Sequence, residues 1–213
     1  GGVAVRLFVP ASRGDVLCLV MCDPLAVGVT RAPQVMLDHC NTAAVIFEDV
    51  EIAGADILAQ GAAADQILAK TLAAGRAIAA AEQLGVAKAA AEQTYDYLRT
   101  RKQFGVLIGQ FQALQHRAAD LYCELAQVSS LIAAALNALD EDSAEVETLT
   151  RAAKAKMARV GRQATEEGVQ MHGGIGMTDE MDLGLLMKRD RALTEFLGDA
   201  GYHTEWILRQ RGI

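Results

Sequence analysis

The chain is poor in helix breakers and in rings: three prolines and 5% aromatic residues stand against 52% hydrophobic ones. That balance excludes a turn-rich, aromatic-packed β protein and points to a soluble, helix-rich globule. No Lys/Arg run of the length needed to grip a phosphate backbone occurs, and the net charge of −7 with a pI near 5.1 excludes a nucleic-acid surface. No apolar run reads as long enough to span a bilayer. The opening residues Gly1-Gly2-Val3-Ala4-Val5-Arg6 lack the basic-then-apolar layout of a secretion leader and read as a strand, so the expected location is the cytoplasm. Among the four cysteines, Cys18, Cys22, Cys40 and Cys123, there is no Cys-x-x-Cys pair, and Cys18 and Cys22 share one face of an expected strand. All four therefore read as reduced, buried thiols, and no metal site is expected. No Ser-His-Asp or Cys-His arrangement emerges from the spacing, and His39, His116 and His203 read as structural or surface residues.

What is present falls into two parts. Residues 1 to about 60 read as β structure, with strands at Val3–Val9, Asp15–Cys22 and Thr42–Ile52 separated by turn residues at Pro10, Ser12-Arg13-Gly14, Asp23-Pro24 and Pro33. From about Ala62 the period becomes helical. Asp65–Arg99 reads as one long Ala-rich helix, whose small side chains imply close approach of neighbouring helices. Gln110–Leu139 follows, with Leu114, Leu121, Leu125, Val128 and Ile132 at three-and-four spacing. A third helix is expected from Ser143 as its N-cap to His172, then shorter ones near Asp182–Leu197 and Ala200–Arg211. The fold class is mainly α, an up-down four-helix bundle with a partial antiparallel β domain at the N-terminus.

Two stretches ask for a chemical account. Between the first two helices, Arg101, Gln103, Phe104 and Gly105 put a cation, an amide and an aromatic ring around a turn. Phe104 packing under the turn while Arg101 caps helix carbonyls is one account. A binding corner is the other, with Arg101 offered to a phosphate and Phe104 to a flat ring. The second stretch, His172-Gly-Gly-Ile-Gly176, closes a helix where a dinucleotide loop would open one. It reads as a C-cap, or, paired with the Arg101 corner, as bare backbone that a ligand can approach.

Arg101-Lys-Gln-Phe-Gly105, Ile108-Gly-Gln-Phe-Gln112 with Gln115, Val169-Gln-Met-His-Gly-Gly-Ile-Gly-Met-Thr178 and Arg189-Asp190 stand in the order and spacing of the acyl-CoA dehydrogenases. Val45-Ile-Phe-Glu-Asp-Val50 and Ile57-Leu-Ala-Gln-Gly61 resemble the same family. The resemblance implies a partial middle β domain over residues 1–61 and the C-terminal helical bundle over residues 62–213. It also implies FAD as cofactor, α,β-desaturation of an acyl-CoA thioester, and a homo- or hetero-oligomer arranged as a dimer of dimers. By the same resemblance, Arg101, Gln103, Phe104, Gln112, Gln170, Gly173 and Gly174 reach a neighbouring subunit's FAD, and Arg76 lies near the acyl substrate.

The chain departs from the family at its catalytic base. Desaturation needs a carboxylate to take the α proton, and the family places a Glu at one of two positions. Eight residues on from Asp190 stands Gly198, and immediately before Arg76 stands Gly75. The Thr that follows the usual Glu by two residues is Ala200. Residues lent to a neighbour's site are kept while those of the chain's own site are missing. The expected role is a subunit that contributes FAD contacts to a partner and lacks a base of its own. The alternatives are a flavin-free structural or binding module, or an active enzyme whose base has moved to Asp199 or Glu195.

Overall fold

The computed structural model describes residues 3–213 and divides the chain into two compact units, 1–72 and 73–213. In the first unit, β1 (Leu7–Arg13), β2 (Val16–Cys22) and β5 (Ile57–Gln60) form an antiparallel sheet in the order β1-β2-β5. β3 (Val29–Val35) and β4 (Asn41–Phe47) form a separate antiparallel ribbon. Gly1 and Gly2, part of the expected first strand, lie outside the described residues, and Val3–Arg6 is not strand. The strand starts at Leu7 and runs through Pro10, Ser12 and Arg13, which had read as turn residues. β1 lies on the sheet's edge, where a residue without an N–H is tolerated, and Pro33 within the two-stranded ribbon is accommodated likewise. The turn itself is Gly14-Asp15, with Gly14 at φ +62°. Cys18 and Cys22 are buried, whereas Cys40 and Cys123 are exposed and depart from the buried-thiol expectation. Cys40 falls in the β3–β4 connection and Cys123 on the outer face of a helix.

The helices are α1 (Ala62–Thr100), α2 (Gln112–Asp140), α3 (Val146–His172), α4 (Leu183–Glu195) and α5 (Ala200–Gln210). The fold is mainly α, a four-helix bundle, with a small antiparallel β region in the N-terminal part of the sequence. Short connections between α1, α2 and α3 force an up-down course. One core joins Ala80, Ala87 and Ala91 of α1, Leu121, Leu125, Val128 and Ile132 of α2, and Met157, Val160 and Ala164 of α3. The methyl-only side chains of α1 let the larger residues of α2 and α3 reach its backbone. Ser143 does not cap α3, which starts at Val146. Its Oγ instead accepts from the N–H of Glu145 in the lead-in. α2 is long and apolar enough, by length and composition, to cross a membrane, a run not counted in the sequence reading. Its buried residues, Leu121, Leu125, Val128, Ile132, Ala135 and Ala138, recur at the three-and-four spacing of a helix packed on one side.

Candidate functional site

The Arg101 corner is a miniature hairpin. β6 (Lys102–Gln103) pairs antiparallel with β7 (Val106–Leu107), and Phe104-Gly105 form the two-residue turn. Both turn residues take positive φ, +53° for Phe104 and +81° for Gly105, as a turn that follows the strand twist requires. The ring of Phe104 is held out at the tip, 91% exposed, with the Phe111 ring beside it in an edge-to-face arrangement at a centroid distance of 6.1 Å. Phe104 therefore does not pack under the turn. The side chains of Arg101, Gln103 and Gln112 are exposed, and Arg101 makes no ion pair among the described residues. What Arg101 lends the fold comes from its backbone: its N–H donates to Tyr97 O and its carbonyl accepts from the N–H of Ile108. Behind the hairpin, Gln115 Nε2 donates to Gly109 O, and a Cβ on Gly109 would meet Leu98 O at 2.7 Å. That glycine is what lets the hairpin root lie against the end of α1.

The glycine stretch closes α3. Gly173 leaves the helix at φ +67°, ψ −140°, which only glycine adopts cheaply, and Gly174 follows with no described atom beyond its immediate chain neighbours within 4 Å of where its Cβ would stand. Gln170, Gly173 and Gly174 are all exposed. The end of α1, the segment leading into α2 and the end of α3 meet here through buried Leu98, Ile108 and Met171. Over that cluster, the rings of Tyr97 and His172 stack at 4.3 Å with 26° between planes. His172 Nδ1 donates to Gly168 O at 2.7 Å, while its Nε2 is buried without a partner among the described residues. The fold thus brings Arg101, Gln103, Phe104 and Gln112 to the same end of the bundle as Gln170, Gly173 and Gly174. The Tyr97–His172 contact was missed in the sequence, although a Tyr four residues ahead of Arg101 and a His abutting the glycine pair were in view.

The other assigned residues lie elsewhere in the helical unit. Gly198 sits at the α4–α5 corner at φ +104°, and a Cβ there would meet Tyr202 Cδ1 at 2.6 Å and His203 Nε2 at 3.0 Å. A Cβ on Gly75 would meet Leu197 Cδ1 at 2.7 Å. Leu197 itself takes φ +60°, unusual for a branched side chain. Both positions where the resemblance would place a base are thus closed in by this chain's own side chains. Asp199 is the N-cap of α5, its Oδ1 accepting from the N–H of Tyr202 at 2.7 Å, and Glu195 pairs with Arg191 at 3.0 Å.

Arg76 points into the bundle. It is 4% exposed and donates to Glu147 Oε1 at 2.6 Å. Burial pulls its guanidinium below the usual value, with Glu147 opposing that shift. Glu147 also accepts from Arg151 Nε at 2.8 Å, and Arg151 lies over the rings of Trp206 and Tyr202. Beside them, fully buried Lys154 donates to Thr194 O at 2.9 Å and Gly198 O at 3.2 Å, stitching the α4–α5 corner to α3. Burial lowers its pKa to about 8, and burial together with the charges of Arg151, Lys154 and Arg76 lowers that of His203 to about 4. The Arg189-Asp190 pair ties α4 to α1. Arg189 donates to Glu82, and buried Asp190 accepts from Gln83 Nε2 at 2.8 Å.

A family model described as acyl-CoA dehydrogenase, C-terminal domain, matches residues 66–211. The chain is 40% identical over 106 residues to the acyl-CoA dehydrogenase IpdE2 of Mycobacterium tuberculosis, spanning 49% of this chain and 31% of that protein. Among solved structures, a variant of the Tcur3481-Tcur3483 steroid ACAD superposes with a TM-score of 0.85 at 27% identity, over 96% of this chain and 54% of that one. The ChsE4-ChsE5 complex from Mycobacterium tuberculosis shares the fold with a TM-score of 0.90 at 23% identity, over 100% of this chain and 57% of the matched one. The chain spans about a third to somewhat over half the length of these relatives.

Proposed function

Because the chain belongs to the acyl-CoA dehydrogenase family, we propose that it is a subunit of an FAD-dependent acyl-CoA desaturase that completes a partner's flavin site while its own site carries no base. One observation carries this reading. The exposed Arg101, Gln103, Phe104, Gln112 and Gln170 share a bundle end with bare Gly173 and Gly174, while Leu197, Tyr202 and His203 close in both base positions.

The residues at the bundle end fit FAD. Arg101 presents a guanidinium uncommitted to any carboxylate among the described residues, suited to bidentate contact with a pyrophosphate. Gly173 and Gly174 leave backbone open to a close-lying adenosine half, and Phe104 offers a ring face for packing. When bound, FAD supplies the acceptor for the hydride leaving the β carbon. The α proton then requires a carboxylate from another chain. At Asp199 and Glu195, the positions nearest the lost base, the carboxylates are engaged in capping α5 and pairing Arg191. Arg76, which the resemblance places near the acyl substrate, is buried and held by Glu147. The similarity to the Tcur3481-Tcur3483 steroid ACAD supports a two-chain assembly that acts on a bulky polycyclic acyl group.

Purification of the chain with whatever related chain accompanies it tests the proposal. Flavin absorbance is expected only in the two-chain assembly and is expected to fall on Arg101→Ala. A homo-oligomer of this sequence with full turnover overturns the silent-site reading. An assembly without flavin favours the structural-module alternative, and loss of turnover on Asp199→Asn favours the relocated base.

A further inference from the structure

We infer that Tyr97 and His172 are a positioning pair, whose stacked rings hold the Arg101 hairpin and the Gly173-Gly174 turn at the spacing a flavin dinucleotide needs. The inference rests on the flavin-completing role proposed above and names residues that role does not itself require. The two arms of the site hang from different helices, one from the end of α1 and the other from the end of α3. Neither arm is rigid by itself. The hairpin has only two paired residues on each side, and the glycines contribute no side chain to anchor them.

Tyr97 and His172 sit at the roots of these arms. Tyr97 O accepts the N–H of Arg101, and His172 is the residue directly before Gly173. The imidazole is fixed in orientation by Nδ1–H donating to Gly168 O, and it is 4% exposed, so it acts through its neighbours and not by touching a ligand. The contact that joins the arms is the ring stack itself.

The flavin dissociation constant of the assembled protein, read by flavin fluorescence on titrating the apo form, tests the pair, with the melting temperature of the apo form recorded beside it. His172→Ala and Tyr97→Ala are each expected to weaken FAD about tenfold, the factor a lost ring pair of this kind produces. Tyr97→Phe keeps the stack and is expected to hold wild-type affinity. The double alanine variant is expected to bind no more weakly than either single one, because both remove the same contact. Additive losses, alanine variants with unchanged affinity, or a Tyr97→Phe variant as weak as Tyr97→Ala overturn the pair. Arg101→Ala serves as the separate arm. If it too leaves flavin affinity intact, the flavin-completing role fails. If it weakens flavin while the Tyr97 and His172 alanines do not, only the positioning role fails.

Discussion

The Cδ1 of Leu197 stands 2.7 Å from where a Cβ on Gly75 would be, so the notch in α1 and the leucine at the α4–α5 corner fit one another. Inside a helix, Gly→Ala is normally worth about 1 kcal/mol of added stability. Here the new methyl must displace Leu197, so Gly75→Ala is expected to gain little or nothing in the wild-type background. After Leu197→Ala, the same change is expected to gain the full amount of about 1 kcal/mol. Urea unfolding of the four proteins measures the difference.

Gly161 on α3 faces a harder neighbour. A Cβ there would run into Asp190 Oδ1 and approach Gln83 Nε2 to 3.1 Å, and these two groups are hydrogen-bonded to each other in the interior. Neither can swing aside without leaving a buried polar atom unmet. Gly161→Ala is expected to destabilise by about 2 kcal/mol, overpacking outweighing the gain in helix propensity. Equal stability of variant and wild type in urea would show that α4 can move off α3.

Lys154 makes stability depend on alkaline pH. Its folded pKa of about 8 lies below the ordinary 10.5, so between these values the unfolded chain holds a proton that the folded one has released. The fold is therefore expected to gain stability as pH rises from about 8 towards 10.5. Lys154→Met removes that rise, although it also strands the carbonyls of Thr194 and Gly198 and lowers stability throughout. The stability difference between wild type and variant, followed by denaturant melts from pH 7 to 10, should widen with pH.

His203 acts on the acid side. Its folded pKa of about 4 lies below the ordinary 6.5, so as pH falls through that window the unfolded chain takes up a proton that the folded one refuses. Stability is lost from about pH 6.5 down to 4. His203→Phe is expected to flatten this limb of the stability profile. An unchanged acid slope would mean that the imidazole is protonated inside the fold.

Much of the architecture was legible because one rule dominates it. An Ala-rich, proline-free chain with apolar residues at three-and-four spacing has few options besides helices, and α1, α2 and α3 lie where the period places them. The strands were less legible. Pro10 and Pro33 are turn residues by local preference, and only an edge position or a two-stranded ribbon, facts of topology, lets them stay within strands. The exposure of Cys123 depends on which side of α2 meets its neighbours, and a thiol carries no sign of that. At the functional end, motif spacing identified the residues but not their meeting. Tyr97 and His172 are 75 positions apart (172 − 97), and no local pattern pairs them. Lys154, flanked by alanines on a buried face, was the one available hint of the polar cluster beneath Gly198.

The hairpin tip has a consequence for how the protein is made. Phe104 keeps a phenyl ring in water on a backbone conformation that its side chain disfavours, two costs borne at one place and relieved once something covers it. On the flavin-completing reading, chains synthesised in excess of the partner that covers the tip should self-associate or be cleared, so cellular abundance would track that partner's supply.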